Sequence, residues 1–481
     1  MTGAETFGEE VVEFGGLRAV RAPLTWGQQV IYRALQSRAN RAHYDYNQRM
    51  SLPVPKGRSL REVIDAVRAL VTAHESLRTV YRDGTADSAS YQEVRGEGRL
   101  TVRVVHGDDP VAALDALAEA DFDLSREWGI RVAVLTGPGG VPRHLALYVS
   151  HLAVDGWAMG LVVRRLKALL ADDAAVAVPA EAVPAPPVPQ PADLAETERS
   201  EAGRTADRRA DAYQRSLLRR APRTMFPARP PASPAPADTE GPSEWAHGEF
   251  RSGRLEAAAR EVAARCRAGE ETVYLAAVGT LLARRAGLSH CVLKTIFANR
   301  IGAERQAMVA PLASDVLLCF EVSGPSFDDC VRAAHLAKLR GYARAQYDPG
   351  RLERLVAEVG RERGEQLDLS VLHNDLGALA APEADGGGRP ARGPGGVETS
   401  FRWAEPFRLP SVKLYCSVRT ADRGERVIGL AADTRYLPGP DLRGLLYGVE
   451  ELVVNAASGP RERRGEPRDR DVDERLSAHV S

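Results

Sequence analysis

The stretch Ser150-His151-Leu152-Ala153-Val154-Asp155-Gly156 decides how the rest of this sequence is interpreted. It follows the alternating apolar run HLALYV, which predicts a strand, and precedes WAMGLVVRRLKALL, whose apolar residues have helical spacing. A histidine at a strand-to-helix connection is well placed for chemistry, because rigid scaffolds present reactive groups on their connecting loops. Histidine side chains ordinarily titrate near neutral pH, so they can accept a proton and return it.

The same residues also have structural explanations. Asp155 is of the type that caps helix N-termini, and Gly156 permits backbone conformations that other residues avoid. A single His151 with this spacing is equally compatible with a core histidine whose hydrogen bonds are satisfied inside the fold. The motif by itself therefore leaves catalysis and a purely structural role open.

Length and composition set the broad class. The chain has 481 residues, which indicates two or three domains, or two large halves that share one interface. The net charge of −1 favours neither nucleic acid nor an anionic membrane as a partner. The five cysteines form no C-x-x-C pair, so a disulfide framework or a zinc site is not expected and a reducing cytoplasm fits best. No signal peptide or membrane-spanning run is visible.

The pattern of elements mixes helices and strands in both halves, which makes a duplicated α/β fold possible. Helices are predicted over Leu24–Leu35 and over Ser59–Tyr81, where Ser59 and Glu62 form a capping box. The Ala-, Val- and Pro-rich stretch 174–192 predicts an extended connector, and the Gly-rich stretch 386–396 predicts a loop. The charged segment after Ala457 is expected to be a disordered tail.

Five segments of the chain match, in order, the motifs of one enzyme family. They are LTWGQQVIYRAL (24–35), AHESLRTVY (73–81), FDLSREWGIRVAVL (122–135), SHLAVDGW (150–157) and FANRIGAERQAMVAPLASDVLL (297–318). Together they resemble the condensation domains of nonribosomal peptide synthetases, within the chloramphenicol-acetyltransferase-like superfamily. SHLAVDGW corresponds to the family's HHxxxDG motif, AHESLRTVY to its RHExLRTxF signature and FANRIGAE to its ANRxxxE stretch. The resemblance covers nearly the whole chain.

The resemblance implies a fold. We expect an α/β protein with two chloramphenicol-acetyltransferase-like subdomains in a V-shaped pseudo-dimer, with the active-site tunnel between them. The expected divisions are an N-terminal subdomain over 1–173 that carries SHLAVDG, a Pro/Ala-rich connector over 174–200, a C-terminal subdomain over 201–457 and a tail over 458–481.

The resemblance also implies an activity. A free-standing condensation enzyme would transfer an acyl group from a carrier-protein thioester to an amine or hydroxyl, forming an amide or ester in natural-product biosynthesis. No bound cofactor and no metal are expected, because the substrates arrive on the 4′-phosphopantetheine of an acyl or peptidyl carrier protein acting in trans. The acceptor would be a small molecule or carrier-bound amine or alcohol, and the enzyme a cytoplasmic monomer with no nucleic-acid or membrane partner.

Carried onto this sequence, the motif implies roles for its catalytic residues. His151 takes the place of the second motif histidine, as a general base or as a group that positions the attacking amine. Asp155 would pair with Arg300 across the two halves, although a solvent-exposed Arg300 is the alternative. Gly156 has no side chain, so the thioester would be able to approach the backbone of the tunnel wall at this position.

Three further residues receive supporting roles. Ser150 stands where the family has its first histidine, and its hydroxyl can still form a local hydrogen bond. Trp157 either lines the tunnel or packs in the core, and Arg78 is expected to support the fold.

Two other functions remain open at this stage. The substitution at Ser150 and the altered residues after Arg300 are compatible with a catalytically inactive module that binds a carrier protein or synthetase partner. An acyltransferase that takes soluble acyl-CoA would use the same histidine chemistry. The arginine-rich stretch 208–220 could meet an acidic carrier protein, although an ordinary solvated helix face explains it as well.

Overall fold

A computed structural model describes residues 6–36, 46–84, 89–171, 188–226, 245–379, 398–409, 411–421 and 425–459. Its strands are β1 (Thr6–Phe14), β2 (Val20–Pro23), β3 (Gln48–Pro53), β4 (Thr79–Arg82), β5 (Tyr91–Val94), β6 (Gly98–His106), β7 (Ile130–Thr136), β8 (Pro142–Val149), β9 (Trp245–Arg251), β10 (His290–Phe297), β11 (Ser314–Glu321), β12 (Val371–Asp375), β13 (Ser400–Ala404), β14 (Leu414–Thr420) and β15 (Arg426–Asp433). Its α-helices are α1 (Trp26–Gln36), α2 (Leu60–Ala73), α3 (Pro110–Ala118), α4 (Gly156–Leu170), α5 (Pro191–Arg199), α6 (Glu201–Arg220), α7 (Gly253–Cys266), α8 (Glu270–Arg285), α9 (Ala303–Ala307), α10 (Phe327–Tyr342), α11 (Pro349–Arg363), α12 (Leu376–Leu379) and α13 (Gly439–Ser458).

The first half is built on a five-stranded sheet in the order β1-β6-β7-β8-β3. Along β7, Val132 and Val134 face α2 and α4, whereas Ala133 and Leu135 face α3. Both faces of the central strands are therefore covered, which explains why their sequences are almost continuously apolar. The end of β8, where the motif begins, is consequently a rigid point of the fold.

The second half is built on a seven-stranded sheet in the order β11-β10-β12-β14-β15-β9-β13. Helices α7, α8, α10 and α13 pack into one large apolar core on one face of this sheet. The parallel pairs β10–β12 and β12–β14 bring strands together that lie far apart in the sequence. The opposite face remains partly open toward the first half and contributes to the candidate site.

One predicted helix of the first half ends earlier than the periodicity of its sequence suggested. The helix that starts after Ser59 has the predicted capping box with Glu62 but ends at Ala73. A 3₁₀ turn over Glu75–Arg78 and strand β4 follow it. Within 73–81 the predicted helix therefore gives way to a turn and then to a strand of the small sheet β2-β5-β4. Strand pairing outweighs the helical pattern there.

The predicted connector over 174–200 lies partly outside the described residues. Its last part is a helix rather than an extended chain, because Pro191 begins α5 and the Gln190–Asp193 capping box closes its first turn. The predicted Gly-rich loop over 386–396 and the tail from 460 onward fall outside the described ranges. Within those ranges, no helix is both long enough and apolar enough to cross a membrane.

Glu198 of α5 ties this segment to the first half. Its Oε2 accepts a hydrogen bond of 2.8 Å from the Trp26 N–H at the start of α1. Burial raises the pKa of this carboxyl from 4.5 to about 7, although the Trp26 N–H and the nearby Arg305 act in the opposite direction. Between pH 4.5 and about 7, this carboxyl is therefore ionised in the unfolded chain and protonated in the folded one, so folding takes up a proton.

We expect Glu198→Gln to raise the free energy of unfolding above pH 8 by on the order of 2 kcal/mol and to change it little at pH 4. The folded-state pKa exceeds the unfolded one, so the wild type loses this stability as the pH rises through about 7. Urea unfolding from pH 4 to pH 9 measures the difference. Glu196→Gln, at an exposed position of the same helix, is the matched control and should show no such trend. An effect of Glu198→Gln that is the same at every pH would contradict the prediction.

Candidate functional site

The motif residues form the connection between β8 and α4. Ser150 is fully buried, and its backbone N–H donates to the Gly129 carbonyl at 2.8 Å. Its Oγ accepts from the Leu152 N–H at 3.2 Å, which closes the turn locally. Ser150 therefore supports the turn from inside the fold and does not face the cavity described below.

His151 is held at both its backbone and its ring. Its backbone N–H donates to Asn47 Oδ1 at 3.2 Å, and its Nδ1 lies 2.8 Å from the Val154 carbonyl oxygen. A carbonyl oxygen can only accept, so Nδ1 must carry a proton in this contact. In the neutral imidazole, Nε2 then keeps its lone pair and can accept a hydrogen bond or a proton. The sequence contained no signal for Asn47, which lies 104 residues away along the chain.

Asp155 caps α4 and joins the two halves of the molecule. Its Oδ1 accepts from the Ala158 N–H at 2.8 Å and from Arg300 Nη2 at 2.7 Å. Its Oδ2 accepts from the Leu312 N–H at 2.9 Å and the Ala313 N–H at 3.3 Å. Both oxygens are thus occupied by protein donors. This arrangement suits a positioning residue better than one that reacts with a substrate.

Arg300 is buried and does not take the solvent-exposed alternative. Its side chain is 3% exposed and that of Asp155 is 5% exposed. Besides Asp155, Arg300 donates to the backbone carbonyls of Arg305, Met308 and Ala310. The Arg300 guanidinium therefore holds the backbone of residues 305–310, which follow β10, in place.

Trp157 connects to the same segment from the first half. Its indole Nε1–H donates to the Gln306 carbonyl oxygen at 3.0 Å, and its ring lies in the cavity wall together with Gly156. Arg78, by contrast, is buried under the small sheet, where Nη1 donates to the Arg18 carbonyl at 2.9 Å.

A cavity of about 1440 Å³ lies between the two halves. The first half contributes wall residues that include Ile31, Arg33, Tyr46, His151, Gly156 and Trp157. The second half contributes wall residues that include Ile296, Pro311, Ala313, Leu372, Asn374 and Tyr415. The cavity is large enough for a small-molecule substrate, and His151 reaches it.

Gly27 lets α1 approach the segment that Asp155 holds. A Cβ at this buried position would lie only 2.2 Å from the Pro311 carbonyl oxygen, next to Leu312. Helix α1 and the second half therefore meet at backbone contact, which the helical pattern of residues 24–35 did not predict.

We expect Gly27→Ala to lower the free energy of unfolding by about 1–3 kcal/mol, because the added methyl group must push backbone apart. Urea unfolding measures this loss. Gly444→Ala is the matched control, since Gly444 lies on the exposed side of α13 with no atom near the added Cβ. It should gain up to about 1 kcal/mol from helix propensity. Equal effects of the two substitutions would contradict close packing at Gly27.

The arginine-rich helix α6 is partly occupied by intramolecular ion pairs. Arg215 lies 2.9 Å from Glu358 and 3.1 Å from Glu362 of α11, and Arg219 lies 3.0 Å from Glu362. These two side chains hold α6 on α11. They are therefore less available to an acidic partner than the sequence alone suggested.

The cysteines have no arrangement that suits metal binding or nucleophilic chemistry. All five are buried and unpaired, and burial raises the pKa of the Cys416 thiol to about 12. Over the ranges that the structure describes, His, Cys, Asp and Glu side chains form no group that could hold a metal ion.

A family model described as Condensation domain matches residues 19–377, which is most of the chain. This chain belongs to the condensation domain family. It is 29% identical over 334 residues to the probable non-canonical nonribosomal peptide synthetase CymA of Salinispora arenicola, covering 67% of this chain and 4% of that protein. It also spans less than a third of each of the other curated relatives that it matches.

The solved structures of condensation domains share the fold. SgcC5 of Streptomyces globisporus has a TM-score of 0.66 at 19% identity, with 91% of this chain and 99% of that chain covered. The X-domain from teicoplanin biosynthesis has a TM-score of 0.66 at 17% identity, with 93% and 97% covered. The expected chloramphenicol-acetyltransferase-like fold with two sheet-containing subdomains is confirmed. The chain is thus a condensation domain, and the curated relatives that it matches include proteins described as a nonribosomal peptide synthetase and a tripeptide synthetase.

Proposed function

We propose that this condensation domain transfers an acyl group from a carrier-protein thioester to an amine or hydroxyl acceptor, forming an amide or an ester. The observation that carries the proposal is the orientation of His151. Its Nδ1 is engaged by the Val154 carbonyl, and the residue borders a cavity walled by both halves. The imidazole is thereby left with one nitrogen able to accept a proton from an acceptor group.

In this reaction the acceptor nitrogen or oxygen attacks the thioester carbonyl carbon. The new C–N or C–O bond forms as the C–S bond breaks, and the proton lost by the acceptor ends on the departing thiol. His151 Nε2 would hold the acceptor by a hydrogen bond and accept that proton on the way. Orientation of the two reactants in one cavity would supply a large part of the acceleration.

The remaining motif residues would keep His151 in place. Asp155 and Arg300 fasten the start of α4 to the second half, and Asn47 fixes the His151 backbone. Gly156 leaves the wall beside them without a side chain, so a thioester on a 4′-phosphopantetheine arm could approach. The protein itself would need no resident metal or cofactor for these steps.

Product formation by mass spectrometry tests the proposal. The assay offers acyl-pantetheine donors on a carrier protein and as free acyl-CoA, with mixed amine and alcohol acceptors. A product formed only from carrier-bound donors supports the proposal and identifies the bond. A product formed equally well from acyl-CoA would favour the CoA-dependent alternative. Tight carrier binding without any product would favour an inactive binding module.

A further inference from the structure

The open face of the seven-stranded sheet forms one wall of the cavity. Side chains alternate along each strand, so every second residue of a strand points to this side. Leu372 of β12 lies opposite Tyr415 of β14, and both line the cavity, whereas their neighbours Val371 and Leu414 belong to the helix-covered core. We call the cavity-lining residues Trp245, Ile296, Leu372, Asn374, Tyr415 and Asp433 the sheet wall.

The middle of the sheet wall is aromatic and apolar. Tyr415 packs in one cluster with Leu409, Leu372 and Trp245, and Tyr46 of the first half joins the same cluster. This part of the cavity therefore suits a flat or apolar group of a substrate. Such pockets usually combine an apolar lining with a small number of polar groups that fix the ligand's orientation.

Polar side chains also line the sheet side of the cavity. Lys294 and Asp433 are ion-paired with Asp315 and Arg435, whereas the amide of Asn374 carries no charge. Asn374 is 7% exposed, and its Nδ2 donates to the Tyr415 hydroxyl at 2.9 Å. Its Oδ1 has no hydrogen-bond partner among the described residues. Rotation of the amide would exchange the two ends, but only one end at a time can meet Tyr415. One polar atom of Asn374 is thus left for something outside the protein, since buried polar groups normally find a partner.

The register places Asn374 at the end of the sheet nearest the motif. Lys294 of β10 lies opposite Leu372, so Asn374 is level with the last residues of β10. The chain continues from the end of β10 to Arg300. Ser370 directly precedes β12 and lies four residues back along the chain, roughly 13 Å away, where it also lines the cavity. On the other side, Tyr46 of the aromatic cluster directly precedes Asn47, which holds the His151 backbone. Asn374 and His151 both line the cavity, one from each half.

We infer that Asn374 selects acyl groups that carry a hydroxyl or an amine beside an apolar or aromatic body. A hydroxyl can donate and accept, so it satisfies either end of the Asn374 amide, and the apolar body would lie against Tyr415. An acyl group without a polar hydrogen would leave Asn374 unpaired in a desolvated wall and would bind less well. This inference rests on the proposed function, since it assumes that the cavity receives the acyl chain.

Binding of two unreactive probes tests the inference directly. They are amides of aminopantetheine, in which NH replaces the thioester sulfur, with 2-hydroxy-3-phenylpropionic acid and with 3-phenylpropionic acid, and they differ in one hydroxyl group. Calorimetry on the wild-type protein is expected to show about tenfold tighter binding of the hydroxy compound. Asn374→Leu should bring the two affinities within about twofold of each other. Equal affinities in the wild type, or no binding of either probe, would overturn the inference.

Two further variants make the result specific. Ser370→Ala removes another buried polar group of the cavity lining, just before β12, and should keep the preference; if it abolishes the preference instead, the assignment to Asn374 is wrong. Tyr415→Phe removes the hydroxyl that holds the amide and should weaken the preference, which provides a test if Asn374→Leu does not fold. A retained preference in a protein that transfers no acyl group would refute the proposed function and leave the recognition by Asn374 intact.

Discussion

Replacing His151 with alanine is expected to lower acyl transfer about 10²–10⁴-fold, which is the usual contribution of a positioned general base. The side chain lies partly exposed at the cavity, and among the described residues only its Nδ1 has a protein partner, the Val154 carbonyl. Its removal should therefore change the melting temperature little. Initial rates of product formation, compared at equal concentrations of folded protein, measure the loss.

Ser150→Ala provides the control for this prediction. Ser150 is the neighbouring motif residue, but it is buried, and its hydroxyl accepts from the Leu152 N–H within the turn. Its loss should cost some stability and much less activity. If His151→Ala kept near-normal turnover, or if both variants lost activity in proportion to their stability, a catalytic role for His151 would be refuted.

Replacing Asp155 with alanine is expected to lower the free energy of unfolding by about 3–5 kcal/mol. The change leaves the Arg300 guanidinium buried without its anionic partner and removes the cap of α4. It also leaves the backbone N–H groups of Leu312 and Ala313 without their acceptor. The contact between the halves should loosen, so activity should fall together with stability.

A double-mutant cycle separates the ion pair from the other roles of Asp155. Arg300→Met and the double variant Asp155→Ala/Arg300→Met are measured by urea unfolding beside the single variant. We expect the double variant to lose less than the sum of the singles, with a coupling of about 1–3 kcal/mol. Additive losses, or a single variant within about 1 kcal/mol of the wild type, would show that the pair does not hold the halves together.

The motif region was predictable because its signals are local. Alternating apolar residues mark β8, helical spacing marks α4, and Asp155 sits at the N-cap that its residue type favours. The boundaries near 73–81 were not predictable in the same way. There the local pattern continues as a helix, but pairing of β4 with β5 ends it.

The sequence by itself determined the family, the α/β class, the location of His151 and the candidate pair Asp155 and Arg300. The α/β class and the location of His151 follow from residue types and local spacings. The family and the pair, whose members lie 145 residues apart, follow from the order of the motifs along the chain. Only the tertiary structure decided which groups surround them. Asn47 reaches His151 because β3 pairs with β8, Gly27 meets Pro311 because two halves pack together, and Asn374 borders the cavity because parallel strands align. Contacts between distant segments depend on strand order and packing, for which neighbouring residues carry no signal.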